Sequence, residues 1–145
     1  MLRRCCTGFG LLAALAAPIA AGVDIGEVLI QGTITIAPEL VQHIEPQDRL
    51  IIKLFHPGAN GVELDAKNQL FTTFTLPLTF KIAPSISMSG DTKYKTYSIE
   101  VLTDKDLDFL SAVTGELMAR TPEPVALGSS GLILELNTLR TDRSD

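Results

Sequence analysis

Apolar residues recur at every second position through most of this sequence, and that period favours extended, half-buried backbone over helix. Between Glu27 and Ala37, Val28, Ile30, Ile34 and Ile36 share one face with Gly32, while Gln31, Thr33 and Thr35 take the other. β-Branched residues in alternation suit a pleated surface with one dry side. Pro38 ends the run, since proline has no N–H to give to a ladder. Pro38 to Ile44 reads as a short helical turn that tucks Leu40, Val41 and Ile44 under the sheet.

The same logic predicts a strand over Arg49 to Phe55, with Leu50, Ile52 and Leu54 on one face. His56 to Gly61 is dense in turn formers and leads into a short run, Val62 to Leu64. Leu70 to Leu76 and Leu78 to Ile82 read as extended, with Pro77 a bend or edge position, and Pro84 to Asp91 as loop. Lys93 to Leu102 is the longest later strand, with Tyr97, Ile99 and Val101 inward. Glu116 to Arg120 and Leu132 to Leu136 follow, the latter after the turn Gly128 to Gly131. Asp104 to Val113 fits a helical turn about as well as a strand. Short strands separated by turn signals imply an all-β fold, a small antiparallel β-sandwich of immunoglobulin-like or similar Greek-key type.

That domain is expected over residues 22–137, behind a signal peptide at 1–21 and ahead of a polar tail, 138–145, expected to fray. Arg3 and Arg4 open the chain, Cys5 to Ala17 is apolar, and Pro18 to Ala21 is a small-residue exit before Gly22. This is the order of a secretory signal, and the apolar stretch falls short of the ~20 residues of a membrane span. Cleavage after Ala21 would release the domain to the periplasm without stable membrane insertion; an uncleaved anchor is the rival reading. Both cysteines of the chain, Cys5 and Cys6, lie inside the signal. The ~124 residues beyond it can fold without disulfides, and cysteine-based catalysis or zinc ligation is excluded there. Without Arg3 and Arg4, 10 basic residues face 17 acidic ones, a formal charge of −7. An acidic domain without a Lys/Arg cluster is a poor match for nucleic acid.

The residues that could carry chemistry do not assemble into a known motif. Asp104, Asp106 and Asp108 alternate like the start of a calcium loop, but the sixth and twelfth positions, which should be Gly and Glu, are Phe109 and Gly115. A solvated acidic connection is the expectation. His43 and His56 are the only histidines and lack ligand spacing. Ser129 and Ser130 sit in G-S-S-G, which is turn chemistry rather than a nucleophile elbow. No catalytic, cofactor or metal residue is assigned, and the chain is expected not to be an enzyme.

Two stretches together resemble the C-terminal periplasmic domain of the CycH-type cytochrome c maturation factors. The first is Gly32-Thr33-Ile34-Thr35-Ile36-Ala37-Pro38-Glu39-Leu40, running through Ile44-Glu45-Pro46-Gln47-Asp48 into Arg49 to Phe55. The second is Gly115-Glu116-Leu117 with Pro124-Val125 and Gly128 to Leu136. Between them, Leu76 to Ile82 and Ser87-Met88-Ser89 are similar to that family's central strand and Ser/Met loop. The membrane helices and tetratricopeptide-type region of that family are not in this sequence, and the segments Gly58 to Asn68 and Asp104 to Val113 depart from its pattern. The resemblance implies a non-enzymatic accessory that handles haem-acceptor proteins, with apocytochrome c or haem-lyase components as partners. An envelope-assembly or pilotin-like β domain is the alternative, weakened by the missing lipid-attachment cysteine. A small hydrolase is the third reading, for which the sequence supplies no site.

Where partners would bind is posed by Leu132 to Leu136. Its only charge is Glu135, and Pro122 and Pro124 lie outside it. At a sheet edge it would be the least protected strand; paired with Glu27 to Ala37 it would be buried.

Overall fold

Isoleucine alternation builds the first strand, β1 (Ile30–Ile36), on which Ile30 and Ile34 are fully buried. The computed structural model describes residues 29–84, 94–108 and 110–141. The expected signal peptide, the start of the expected first strand and most of the Pro84 to Asp91 loop lie outside them. Pro38 stops β1 as its missing N–H requires, and Pro38–His43 forms a 3-10 helix. Leu40 and Ile44 pack against the core from there, but Val41 points out, 53 % exposed.

β2 (Arg49–Pro57) and β3 (Glu63–Phe71) form a long antiparallel hairpin closed by a 3-10 turn at Ala59–Gly61. Asn60 and Gly61 adopt positive φ there. β4 (Leu78–Ile82) follows a bend in which the Leu76–Pro77 bond is cis. β5 (Thr96–Asp104), β6 (Leu117–Arg120), the two-residue β7 (Val125–Ala126), β8 (Leu132–Leu136) and β9 (Thr138–Leu139) complete the chain.

Two sheets result. The smaller runs β4-β1-β8 and the larger β3-β2-β5-β6-β9, with β7 laid on β5. Residues of both inner faces, among them Ile34, Leu50, Leu54, Phe80, Ile99, Val101, Leu117 and Leu136, make one core. The expected all-β sandwich is therefore the fold. Among the described residues every pairing is antiparallel except one: β1 and β8 run parallel, Gly32 opposite Leu132 and Ile36 opposite Leu136.

Several expectations need correction. The run at Val62 to Leu64 is the start of a nine-residue strand, and extension ends at Phe71 rather than Leu76. Among the described residues of Asp104 to Val113 there is no helix: Asp104 ends β5, and those beyond it are bends, a turn and irregular chain, with Leu107 at φ +65°. The tail does not begin at Thr138, because Thr138 and Leu139 pair with Met118 and Leu117. Arg140 adds a backbone bond to Glu116 at 2.8 Å.

Candidate functional site

The segment from Leu132 to Leu139 belongs to both sheets. β8 pairs with β1, and two residues later β9 pairs with β6. The switch is Asn137, whose N–H donates to the Met118 carbonyl at 3.2 Å. From that point the edge of β8 and the edge of β6 diverge. Between them lies an open groove of about 600 Å3, with Leu132, Ile133, Leu134 and Glu135 on one wall and the segment Ala119 to Val125 on the other.

Strand geometry fixes which backbone groups face it. Along a strand, successive residues turn their N–H and C=O to opposite sides, as their side chains alternate between faces. The Leu136 carbonyl points to β1, where it accepts from Ala37 at 3.0 Å, and the Asn137 N–H points to β6. Ile133 and Glu135 share the parity of Asn137, so their main-chain groups face the groove. On the far wall the Thr121 N–H donates back to Ile99 at 2.9 Å, and the Thr121 Oγ1 accepts from the Ile99 N–H at 3.0 Å. By the same alternation Arg120 turns its main-chain groups into the groove. Beyond Thr121 the Pro122-Glu123-Pro124 arch forms the outer lip before Val125 and Ala126 rejoin β5.

The groove is aliphatic and acidic. Ile133 is 74 % exposed on its wall. Arg120, the one cation among the described residues that line it, is committed elsewhere: it pairs with Glu63 and, at 3.2 Å, with Glu100, and its guanidinium lies over the Phe55 ring at 5.4 Å. Hydrogen bonds from the Ser98 hydroxyl first and from Arg120 second hold the Glu63 carboxyl below the usual range. Glu123 and Glu135, both exposed, have no ion-pair partner among the described residues.

Neither known families nor characterised proteins match the chain by sequence. One solved structure shares its fold. It is an alternative pilotin from the type II secretion system of Vibrio cholerae, which superposes with a TM-score of 0.50 at 13 % identity, over 75 % of this chain and 94 % of the pilotin. At that identity the likeness speaks for the fold.

The residues singled out from sequence lie elsewhere. Asp104 is not part of a solvated connection: it is fully buried at the end of β5, and its Oδ2 accepts from Arg49 Nε at 2.8 Å. Asp106 and Asp108 are the exposed members, and the Asp106 carboxylate caps the Asp108 N–H at 3.0 Å. Asp104 and Asp106 do meet a third carboxylate, Glu116, with oxygens of all three within 4.8 Å. Arg140 Nη1 donates to Glu116 Oε2 at 2.7 Å. Lys105 Nζ reaches buried Asp48 at 2.9 Å and the His43 carbonyl at 2.7 Å. The cluster is thus an ion-pair network that ties β2, β5 and the chain's last described turn together. Burial still raises the Glu116 carboxyl above the usual range, against the pull of the Val113 N–H and Arg140.

His43 ends the 3-10 helix ahead of β2, and His56 lies inside β2 near its opposite end, so β2 separates the two. His56 stacks on Tyr94, centroids 3.8 Å apart. Ser129 serves the turn: its carbonyl accepts from Gln31 at 2.9 Å, and Gly128 and Gly131 take positive φ. That turn crosses between sheets rather than closing a hairpin. Arg120 and Glu123 were not singled out from sequence. The signal for the groove was a break in alternation, since the apolar series Leu132, Leu134, Leu136 resumes only at Leu139.

Proposed function

We propose that this chain is a non-enzymatic binding module of the cell envelope, of the pilotin-like, envelope-assembly kind, and that it acts by holding another envelope protein. The observation that carries the reading is the fold shared with a secretion-system pilotin over 75 % of the chain. Two further features support it. The groove is open and aliphatic, and its one cation is locked in ion pairs, so it offers a surface rather than a reactive centre. Among the described residues no helix is long and apolar enough to cross a membrane, which fits a domain released behind a signal peptide to the periplasm.

A second reading has its own support. The motifs Gly32 to Leu40, Leu76 to Ile82 and Gly128 to Leu136 follow one another as in the CycH-type domain, which favours an accessory of cytochrome c maturation, with apocytochrome c or haem-lyase components as the partner. In vivo photo-crosslinking separates the two. A photoreactive amino acid is placed at Leu70, Glu123 or Ile133, and adducts recovered from the envelope are read by mass spectrometry. The leading proposal expects a subunit of a secretion or envelope-assembly machine. Apocytochrome c or a haem-lyase component would move the assignment to the second reading. Recovery of the chain from the cytoplasm, with adducts to cytoplasmic proteins alone, would overturn both.

A further inference from the structure

We infer that the β8 edge is a receptor for an extended segment of the partner, a strand that carries aliphatic and basic side chains two residues apart on one face and pairs with β8 inside the groove. The inference rests on the protein-binding reading above and adds the partner's chemistry and its mode of docking. Among the described residues β8 has a neighbour, β1, on one side only. Its other side turns the N–H and C=O groups of Ile133 and Glu135 into the groove, and such groups are the template for strand addition. Five residues of β8 offer ~17 Å of ladder. The facing wall contributes the main-chain groups of Arg120, so an inserted strand has an edge on each side.

The remaining edges are blunted. β3 carries Glu63, Asp65 and Lys67, β4 carries Lys81, and β9 is two residues long. β8 presents one charge and an isoleucine 74 % exposed. Side chains directly opposite on adjacent strands interact, so Ile133 calls for an aliphatic residue. Glu135 on one wall and Glu123 on the other call for Lys or Arg. A second copy of β8 supplies no such cation: antiparallel about Leu134, it would set Ile133 against Glu135. The occupant that satisfies both acids is therefore another protein's extended segment, with basic and aliphatic residues two apart on one face.

The test uses protein purified from the envelope and three synthetic peptides. The first, Thr-Lys-Thr-Val-Thr-Lys-Thr, sets a central valine between two lysines on one face of the strand. The second replaces each lysine with glutamate, and the third replaces the central valine with proline, which lacks the N–H needed for the ladder. Fluorescence anisotropy at low salt should give the Lys/Val peptide at least tenfold tighter binding than either control, and hydrogen exchange at the Ile133 and Glu135 amides should slow when it binds. The Glu123→Lys/Glu135→Lys variant, checked for an unchanged thermal transition, should prefer the glutamate peptide. Equal binding of all three peptides, protection that maps away from β8, or a self-dimer that protects β8 without peptide would each overturn strand addition. Envelope crosslinks that persist unchanged in the double variant would also overturn it, while leaving the binding role standing.

Discussion

Gly32→Ala tests the packing on which the groove depends. Gly32 lies in the middle strand of the small sheet, with Phe80 opposite it on β4 and Leu132 opposite it on β8. A Cβ there would stand 2.6 Å from the Leu132 carbonyl oxygen, 2.9 Å from the Leu132 Cβ and 2.9 Å from Phe80 Cε1. On an open strand the swap would help, because glycine inside a strand costs roughly 0.5–1 kcal/mol relative to alanine. Overpacking costs about 1–3 kcal/mol, and the high end applies here because the nearest atom is backbone that no rotamer change can move. The net expectation is a loss of about 2 kcal/mol, a drop in Tm of roughly 8 °C for a domain of this size. Calorimetry and urea unfolding measure it. Phe80→Leu in the same chain should not restore stability, since the carbonyl contact remains. Hydrogen exchange should quicken in β8, the strand that must move. A variant as stable as the parent, or more so, would refute the close approach of β1 and β8.

Asp104→Ala would strand the largely buried Arg49 guanidinium, and breaking a buried pair costs about 3–5 kcal/mol. The low end is expected in urea unfolding, because Asp104 also sits beside Asp106 and Glu116. For Glu116, whose carboxyl is raised by burial, the folded state keeps the proton to higher pH than the unfolded chain. Stability from that group is therefore present below the ordinary carboxylate range and lost as pH climbs through the raised value. Relative to the non-titrating Glu116→Gln, the parent should lose ground in Tm as pH climbs above the ordinary carboxylate range, and a gain with pH would contradict the shift. Ile133→Lys replaces an exposed side chain and should change stability by no more than about 0.5 kcal/mol, leaving the thermal transition within a few degrees. Wholesale unfolding of that variant would mean that the strand is core.

Much of the fold was legible where alternation met turn residues. Leu132–Leu136 has the expected bounds because Gly128 and Gly131 supply the positive φ that sets up its start. Tyr97, Ile99 and Val101 are inward as expected, being odd positions of a central strand. β3 was nearly invisible because it is an edge strand exposed along most of its length, so Asp65, Lys67 and Asn68 carry no burial period. Asp104 was misread because a local D-x-D-x-D pattern says nothing of Arg49, fifty-five residues earlier, which supplies its charge partner across the β2–β5 register. Leu132 to Leu136 does pair with β1, but among the described residues it stands at the edge of its sheet rather than in its centre, with Ile133 and Glu135 exposed. The groove itself arises from one strand changing sheets at Asn137, a long-range event that composition cannot encode.

The parallel pairing of β1 with β8 has a consequence for how the molecule comes together in time. Roughly a hundred residues separate Gly32 from Leu132, so the small sheet waits on a contact between strands near the two ends of the domain. Such non-local topology places folding in the slow class, milliseconds to seconds, because loop closure precedes its reward. Until β8 arrives, β1 offers Ile30, Ile34 and Ile36 along an open flank, which makes the incomplete chain both prone to aggregation and easy to keep unfolded. A chain truncated before Leu132 should stay in that condition, so the domain's maturity is decided by its final strands.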